Sequence, residues 1–275
     1  MKKDNSNLTS RKIAKYGWKP DLPDHRDLVY AAPLLKLGPL PAKADLRKQC
    51  PPVYNQGQIG SCTANAIAGA IEFDLLKQQL ADFTPSRLFI YYNERSMEHT
   101  TATDSGAQIR DGIKSVNKLG VCPETEWTYD DTPADPNTGL WPSGAKPAEK
   151  PTPSCYTDAL KNQVTSYQRV NRDLAQMKGC LAAGYPFVLG FTVYDAFESA
   201  AVAKTGVLNL PGSNEQVVGG HAVLAVGYDD KAQRFTVRNS WGAKWGMKGY
   251  FTMPYAYLLD SNLADDFWTL RVVAT

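Results

Sequence analysis

An apolar stripe recurs at intervals of three and four positions after residue 60, at Ala64, Ile67, Ala68, Ile71 and Leu75. This spacing predicts a helix that begins near Ser61 and buries one face. A second stripe lies in TPSRLFIYYNERSM, where Thr84 is the expected cap and Pro85 the first helical position. The first half of the chain therefore predicts helices that pack on a shared core.

Two more helical stretches follow the same pattern. DSGAQIRDGIKSVNKLG predicts a helix capped by Asp104 or Ser105 and ended by Gly120. NRDLAQMKGCLAAG predicts another helix, which ends at Gly184. Between these two stretches, residues 131–153 are rich in Pro, Ala and Gly and predict a long surface loop.

The pattern changes after Gly184, where short stretches rich in β-branched and aromatic residues are separated by turns. They are YPFVLGFTV, GVLNL, HAVLAVGYDD, RFTVRNS, GYFTM and FWTLRVV. Helices followed by strands predict an α+β protein of two lobes, a helical lobe over about 55–165 and a β-rich lobe over about 166–275. A cleft between two lobes is a common ligand site.

The N-terminal 39 residues differ from the rest. Residues 1–15 are polar and predicted to be mobile. Residues 16–47 carry five prolines with scattered aromatic residues, which predicts an extended arm lying on another part of the molecule. We therefore divide the chain into an arm, residues 1–39, and a folded domain, residues 40–275.

The charge balance limits the possible partners. Thirty basic and 28 acidic residues give a net charge of +2, which argues against a nucleic-acid partner. No apolar run approaches the ~20 residues of a membrane-spanning helix. The opening MKKDNSNLTSRK has no apolar stretch behind it, so it is not a signal peptide as it stands.

The five cysteines are Cys50, Cys62, Cys122, Cys155 and Cys180. They form no CxxC pair, so zinc-finger spacing is absent and no metal or other cofactor is predicted. An odd count fits one free thiol with up to two disulfides in an exported protein, and it equally fits five reduced thiols in a cytosol. If Cys62 is the free thiol, the remaining four allow three pairings.

Cys62 stands where a glycine-containing loop meets the first predicted helix, and a free cysteine is more often a small buried hydrophobe than a nucleophile. Two features favour a nucleophilic role for Cys62. Unpaired N–H groups in the first turn of a helix stabilise a thiolate, and Gly57 and Gly60 let the backbone of the loop approach a substrate closely. A nucleophilic thiolate also needs a base or imidazolium partner from elsewhere in the fold.

His221 is the candidate partner, because GGHAVLAVGY places it at the start of the most apolar predicted strand, whereas His25 and His99 lie in polar stretches. Asn239 ends the next strand, and a turn at residues 229–230 would make the two strands antiparallel. That pairing would bring Asn239 back towards His221, where its side chain could orient the imidazole.

These three segments resemble the papain-like cysteine peptidases, in NQGQIGSC, GGHAVLAVGY and most specifically NSWGAKWGMKGYF. The resemblance covers residues from about Leu40 onward. It implies a papain-like two-lobe fold with the active site in the cleft, Cys62 as nucleophile, His221 as acid and base, Asn239 as its orienting group and Gln56 in the oxyanion hole. It also implies substrate contacts at Gly106, Ala222 and Trp241, with Trp241 shielding the Asn–His hydrogen bond.

The sequence departs from the family pattern beside the nucleophile. Thr63 replaces the usual aromatic residue, and Ile59 replaces a cysteine that normally forms a disulfide. Gly220 stands before the histidine where Asp or Asn is common, and the loop 131–153 accounts for the long spacing to His221. These departures indicate a divergent, bacterial-type branch.

The resemblance implies a cysteine endopeptidase that hydrolyses protein or peptide substrates through a thioester, acts as a monomer and is exported, with a cytosolic location as the alternative. Two rival functions remain, a Cys-His transglutaminase or amidase, and a catalytically silent binding protein. The arm also has two interpretations. It is either the short pro-segment of a zymogen, lying along the cleft, or a permanent brace between the lobes.

Overall fold

The structure is a computed structural model that describes residues 16–33 and 38–274, with side chains up to Arg271. The expectation that residues 1–15 are mobile therefore lies outside the described residues. The architecture is the predicted α+β arrangement of two lobes, with helices on one side of a cleft and a large antiparallel sheet on the other. No helix in the described part has both the length and the apolar character needed to cross a bilayer.

Seven α-helices lie in the described chain: α1 Cys62–Lys77, α2 Arg87–Met97, α3 Ile109–Leu119, α4 Pro153–Ala159, α5 Leu174–Ala182, α6 Ala200–Thr205 and α7 Tyr255–Leu259. Helix α1 is buried over nearly its whole length, because α2, α3 and the sheet surround it. It is therefore the central helix of the molecule, and its first residue is Cys62.

Ten strands accompany the helices: β1 Trp18–Lys19, β2 Val29–Tyr30, β3 Lys43–Asp45, β4 Ala107–Gln108, β5 Gln163–Val170, β6 Phe187–Tyr194, β7 Val217–Asp229, β8 Arg234–Arg238, β9 Tyr250–Pro254 and β10 Ala264–Ala274. The main sheet has the order β2-β5-β10-β6-β7-β8-β9, and β3 pairs with β7. β7 and β8 are antiparallel, as the turn at residues 229–230 predicts. Strands β1 and β4 form a separate parallel pair.

Several predicted boundaries are wrong by a few residues. Helix α2 is capped by Ser86, whose side chain accepts a hydrogen bond from Phe89 N, rather than by Thr84. Helix α3 begins after Gln108 instead of at Asp104 or Ser105. In each case a tertiary contact takes the expected cap into a different role. Asp104 accepts two hydrogen bonds from the Gly60 N–H.

Strand predictions were mostly confirmed, with one excess and several omissions. GVLNL is not a strand, since only an isolated bridge joins Val207 to Thr252. Strand β5 was missed, because its alternating polar residues lie at a half-exposed position in the sheet. The strands β1 and β2 of the arm were missed because each is two residues long and is defined by its partner.

The arm crosses the cleft and then follows the sheet. Its first described residues pair through β1 with β4, with Trp18 opposite Ala107. Farther along, β2 adds a parallel edge strand to β5. The expectation of an extended arm lying on another part of the molecule is confirmed for residues 16–33, and residues 34–37 lie outside the description.

Candidate active site

Cys62 is the first residue of α1 and is fully buried. Burial is the largest influence on its thiol and raises the pKa to about 12. Backbone hydrogen bonds from Ala222, Gly17 and Thr63 act in the opposite direction, because N–H groups that point at sulfur favour the thiolate. In this closed arrangement the thiol is protonated at neutral pH.

His221 lies on β7, next to the residue whose backbone contacts Cys62. Its Nε2 and the Asn239 Oδ1 are 2.8 Å apart, and the same Oδ1 accepts the Ser240 N–H at 2.8 Å. Because that amide oxygen already accepts a hydrogen bond, the Nε2 of His221 is assigned as the donor. The lone pair of His221 then lies on Nδ1, which makes no hydrogen bond to any described residue.

Burial lowers the pKa of His221 to about 4, opposed by its hydrogen bond to Asn239. Aromatic rings enclose the imidazole. The ring of Trp241 lies 5.3 Å from that of His221, and the rings of Phe191 and Tyr16 lie at 5.8 and 5.7 Å. These rings keep water from the Asn–His hydrogen bond and disfavour the charged imidazolium.

Gln56 is buried in the loop before α1 and is tied to the segment that follows Asn239. Its Oε1 accepts the Ser240 hydroxyl at 2.7 Å, and its backbone N–H donates to Ser240 O at 2.8 Å. Its Nε2 donates to Ile59 O at 3.0 Å. One of the two N–H groups of the Gln56 side chain is thus held on its own loop.

The two unusual neighbours of Cys62, Ile59 and Thr63, are both fully buried. The Thr63 hydroxyl donates to Glu94 Oε1 at 2.5 Å, and burial raises the pKa of Glu94 well above its usual value. Sequence reasoning missed Glu94, although its place in the second apolar stripe marks a carboxyl group directed inward. Thr63 is therefore a hydrogen-bonding residue where an aromatic residue would only pack.

Gly17 of the arm lies directly over the catalytic cleft. Its carbonyl accepts the Ala107 N–H at 2.8 Å, beside Gly106. A Cβ on Gly17 would lie 1.7 Å from Gly60 O, and a Cβ on Gly106 would lie 2.0 Å from Gly17 O. Only a chain without a side chain at position 17 can lie this close to the loop and to Cys62.

The neighbouring residue, Trp18, occupies a pocket in the β-rich lobe. A Cβ on Gly190 would lie 1.9 Å from its indole ring, and a Cβ on Gly220 would lie 2.6 Å from its backbone oxygen. At the base of the pocket the indole N–H donates to Asp266 Oδ2 at 3.0 Å. The small residue before His221, noted as a departure from the family, makes room for this arm.

Buried charges hold the arm beyond Trp18. Asp21 accepts the Arg110 N–H at 3.0 Å and the Trp268 indole N–H at 2.9 Å, and its own N–H donates to Asp266 at 2.8 Å. Burial first, and then the Asp266 carboxylate, raise the pKa of Asp21 to about 7. Asp27 forms a buried ion pair with Arg110 at 2.5 Å.

The structure thus brings the candidate residues Cys62, His221, Asn239, Ala222, Gly106 and Trp241 around the first described residues of the arm. Gln56 lies next to this group with its amide turned to Ile59. Besides Glu94, sequence reasoning missed Gly17, Trp18 and Asp21, since nothing in a Pro-rich stretch indicates which of its residues enters a cleft.

Comparison with known proteins gives a consistent result. The family model described as papain family cysteine protease matches residues 40–265. The crystal structure of xylellain, a cysteine protease from Xylella fastidiosa, is similar with a TM-score of 0.90 and 49% identity, covering 96% of this chain and 99% of that one. The uncharacterized peptidase C1-like protein L477 of Acanthamoeba polyphaga mimivirus is 42% identical over 96% of this chain and 89% of its own length.

More distant relatives are longer than this chain. Bovine pro-cathepsin H is 26% identical over 86% of this chain, and the match covers 66% of that precursor. The structure of procathepsin L 3 from Tenebrio molitor shares the fold, with a TM-score of 0.66 at 20% identity, covering 90% of this chain and 75% of that one.

Proposed function

Because this chain belongs to the papain family of cysteine proteases, whose members hydrolyse proteins, we propose that it is an endopeptidase with Cys62 as nucleophile, His221 as acid and base, and Asn239 as the residue that orients His221. The observation that supports these roles best is the 2.8 Å contact from His221 Nε2 to Asn239 Oδ1, on the strand that also contacts the Cys62 sulfur. It leaves Nδ1 of the imidazole as the proton acceptor.

Acylation follows from this geometry. The Cys62 sulfur attacks the carbonyl carbon of the scissile peptide bond, and its proton passes to Nδ1 of His221. The carbonyl electron pair becomes an oxyanion, which then returns to expel the amine while Nδ1–H protonates the leaving nitrogen. A thioester on Cys62 and a free amine result.

Deacylation repeats the steps with water. His221 removes a proton from the water as it attacks the thioester carbon, and the sulfur leaves with that proton to regenerate the thiol. We place the Cys62 N–H and the Gln56 amide at the oxyanion in both steps. The Gln56 Nε2 carries two N–H groups, and Ile59 O accepts one of them at 3.0 Å, so the other remains to donate to the oxyanion. A donor so placed contributes ~3 kcal/mol to the transition state.

Labelling of the thiol tests this assignment. The arm of the full chain is cleaved by limited proteolysis, and the protein is treated with an epoxysuccinyl peptide inhibitor of thiol peptidases. We expect one label on Cys62, none in Cys62→Ala, and unchanged labelling in Cys180→Ala, a matched buried thiol. Label that persists in Cys62→Ala, or its absence from the wild type, would contradict the assignment.

The same protein distinguishes the two rival functions. A transglutaminase would join an added primary amine to a glutamine side chain, whereas a peptidase releases new amino termini from the same protein substrate. A silent binding protein would do neither after the arm is cleaved. Release of new termini without amine incorporation is the expected result.

We propose further that the arm is an inhibitory pro-segment. Gly17 lies against the Cys62 sulfur and Trp18 fills the pocket beside His221, so a substrate cannot reach either group while the arm is docked. The raised pKa of Cys62 and the lowered pKa of His221 also keep this pair uncharged beneath the arm. Full activity then requires displacement of the arm.

The alternative is a permanent brace, and activity distinguishes the two. The intact chain and a chain cleaved between residues 31 and 40 are compared on a fluorogenic peptide. For a pro-segment we expect the cleaved chain to be at least about tenfold more active, since each ~1.4 kcal/mol of docking free energy corresponds to a factor of ten. Equal activity of the two preparations, with the cleaved arm shown to have dissociated, would favour the brace.

The remaining properties are proposals about the whole protein. We propose that it acts as a monomer on protein substrates outside the cytosol, without a nucleic-acid partner. The near-neutral charge of +2 supports the last point. Light scattering of the eluted protein tests the monomer, and fractionation of the producing cells tests export.

A further inference from the structure

A second group of reactive side chains lies away from the cleft, at the two ends of the loop 131–153. Cys122 and Glu126 precede the loop, and Cys155 lies on α4 directly after it. The two sulfur atoms and a carboxylate oxygen of Glu126 all lie within 4.8 Å of one another. Both thiols are buried, whereas Glu126 is exposed, so the cluster extends from the core to the surface.

We propose that Cys122, Cys155 and Glu126 bind a soft divalent transition-metal ion, with zinc the expected occupant. Thiolate sulfur with one carboxylate oxygen is a donor set that suits zinc. Ligand atoms around a tetrahedral zinc, with bonds of ~2.0–2.3 Å, lie ~3.3–3.8 Å apart. Separations of up to 4.8 Å need to shorten by about 1.0–1.5 Å at most, which is within the reach of side-chain rotation.

The neighbours of the cluster also suit a cation. Asp158 lies on α4 one turn after Cys155, and its carboxyl is hydrogen-bonded to that of Glu126. Two carboxyl groups and two thiols thus meet in one place, with Lys161 the cation paired with Asp158. A metal ion would be attracted to this group, and the surface position of Glu126 provides a path for its entry.

The same two thiols could instead form a disulfide, which is one of the three pairings that the sequence left open. In the structure both are free thiols, and the Cys155 sulfur lies 3.1 Å from the Thr152 hydroxyl. A disulfide would give the adjacent Glu126 carboxyl no role, whereas a metal site uses all three side chains. The third donor beside the two sulfur atoms is the observation on which the choice of a metal rests.

A metal here would fasten both ends of the loop to one point. The start of that loop contacts the segment before Cys62, because Asp131 accepts the Gln58 N–H at 3.1 Å, two residues from Gln56. We therefore expect the metal to stabilise the folded chain, since a ligand that binds only the native state raises its free energy of unfolding.

The test uses the full chain with Cys62→Ala, which removes the catalytic thiol and prevents self-cleavage. The protein is reduced, freed of reductant and titrated with Cd²⁺, and thiolate-to-metal charge transfer is recorded in the ultraviolet. We expect one equivalent bound per chain and a higher melting temperature with Zn²⁺. Cys122→Ser and Cys155→Ser are expected to lose the band, and Cys180→Ser, a buried thiol elsewhere, to keep it.

Glu126→Gln is the second variant, because an exposed side chain can be changed without disturbing the core. It is expected to weaken Cd²⁺ binding by about tenfold or more while the melting temperature without metal stays unchanged. The proposal is overturned if the reduced chain binds no Cd²⁺, if the band persists without either cysteine, or if binding is unchanged in Glu126→Gln. A linked Cys122–Cys155 peptide before reduction, with no metal uptake after it, would assign the pair as a disulfide instead.

Discussion

The cleft and the arm that covers it are held in different ways. Cys62 and His221 belong to a long helix and a long strand, and Asn239 directly follows the strand that pairs with it, so the backbone ladder and the core position them. The arm is held by two-residue strands and by buried charges around Asp21. It also approaches the loop so closely at Gly17 that no side chain would fit there. The geometry of the candidate site is therefore a property of the folded domain, whereas the arm adds Gly17 against the Cys62 sulfur and Tyr16 against the His221 ring.

The largest expected effect comes from removing a side chain of the candidate active site. In the chain with its arm cleaved, His221→Ala removes the proton acceptor for Cys62, and we expect kcat/KM on a peptide to fall on the order of 10³-fold. His99→Ala is the matched control, because His99 lies in a turn outside the cleft. Retention of activity within tenfold in His221→Ala would show that another group accepts the proton.

The next prediction weakens the docking of the arm and leaves the residues of the cleft unchanged. Gly17→Val cannot dock in the present position, since its Cβ would overlap Gly60 O. Overpacking of this kind costs ~1–3 kcal/mol, so the intact chain should become roughly 5–150-fold more active. Leu22→Ala, a change at an exposed arm residue, should have little effect. Unchanged activity of Gly17→Val would mean that docking at this glycine does not limit catalysis.

The third prediction concerns pH, where two groups oppose each other. The docked arm raises the pKa of Asp21 from 3.8 to about 7, so its contribution to docking is complete below pH 3.8 and is lost as pH rises to about 7. Burial, in which Tyr16 of the arm takes part beside Phe191 and Trp241, lowers the pKa of His221 from 6.5 to about 4, so the share that the arm supplies is complete above pH 6.5 and is lost as pH falls to about 4. Between these limits the two trends largely cancel.

Replacing His221 separates the pH trend of Asp21 from that of the histidine. In Cys62→Ala the exchange of amide hydrogens in residues 16–22, corrected for intrinsic rates, should change little between pH 5 and 6. In Cys62→Ala with His221→Gln the histidine no longer titrates, and the carboxyl pair of Asp21 and Asp266, whose pKa values are both raised, remains, so opening of the arm should increase by up to about tenfold over the same interval. A flat profile in the double variant would remove Asp21 from the docking equilibrium.

The smallest expected effect concerns one hydrogen bond of the docked arm, from Trp18 to Asp266. Trp18→Phe keeps most of the ring in its pocket but loses the hydrogen bond from the indole N–H to Asp266. Such a bond contributes ~1 kcal/mol, so the intact chain should become about fivefold more active. Trp18→Phe in a chain with the arm cleaved serves as the control and should match the cleaved wild type. Equal activity of the two intact chains would assign docking to the ring alone.

Local patterns in the sequence predicted most of the folded domain. The stripe from Ala64 to Leu75 predicted α1, and the alternation of turns and apolar runs predicted β6 to β10, because periodicity of three to four or two residues is a local property. The caps were less predictable. Ser86 rather than Thr84 begins α2, since the choice depends on which side chain is free to meet the helix N–H groups.

The residues of the candidate site also differ in how far the sequence predicts them. Cys62, His221 and Asn239 could be selected from the sequence, because each stands in a segment whose residue types suit its chemistry. Glu94 could not, since a carboxyl group within an apolar stripe acquires its role only when Thr63 is packed against it. The position of Gln56, turned towards Ile59, likewise depends on contacts made across the cleft.

The sequence by itself determined the class of fold and the residue types of the catalytic group, through short-range periodicity and the chemistry of a few side chains. Only the tertiary structure decided that Gly17 covers Cys62 and that Cys122 lies beside Cys155, since both contacts join distant parts of the chain. The physical reason is that close approach depends on the shapes of both partners. A Pro-rich arm or a loop of 23 residues has no local pattern that fixes its path, so the path is determined by the surface on which the segment packs.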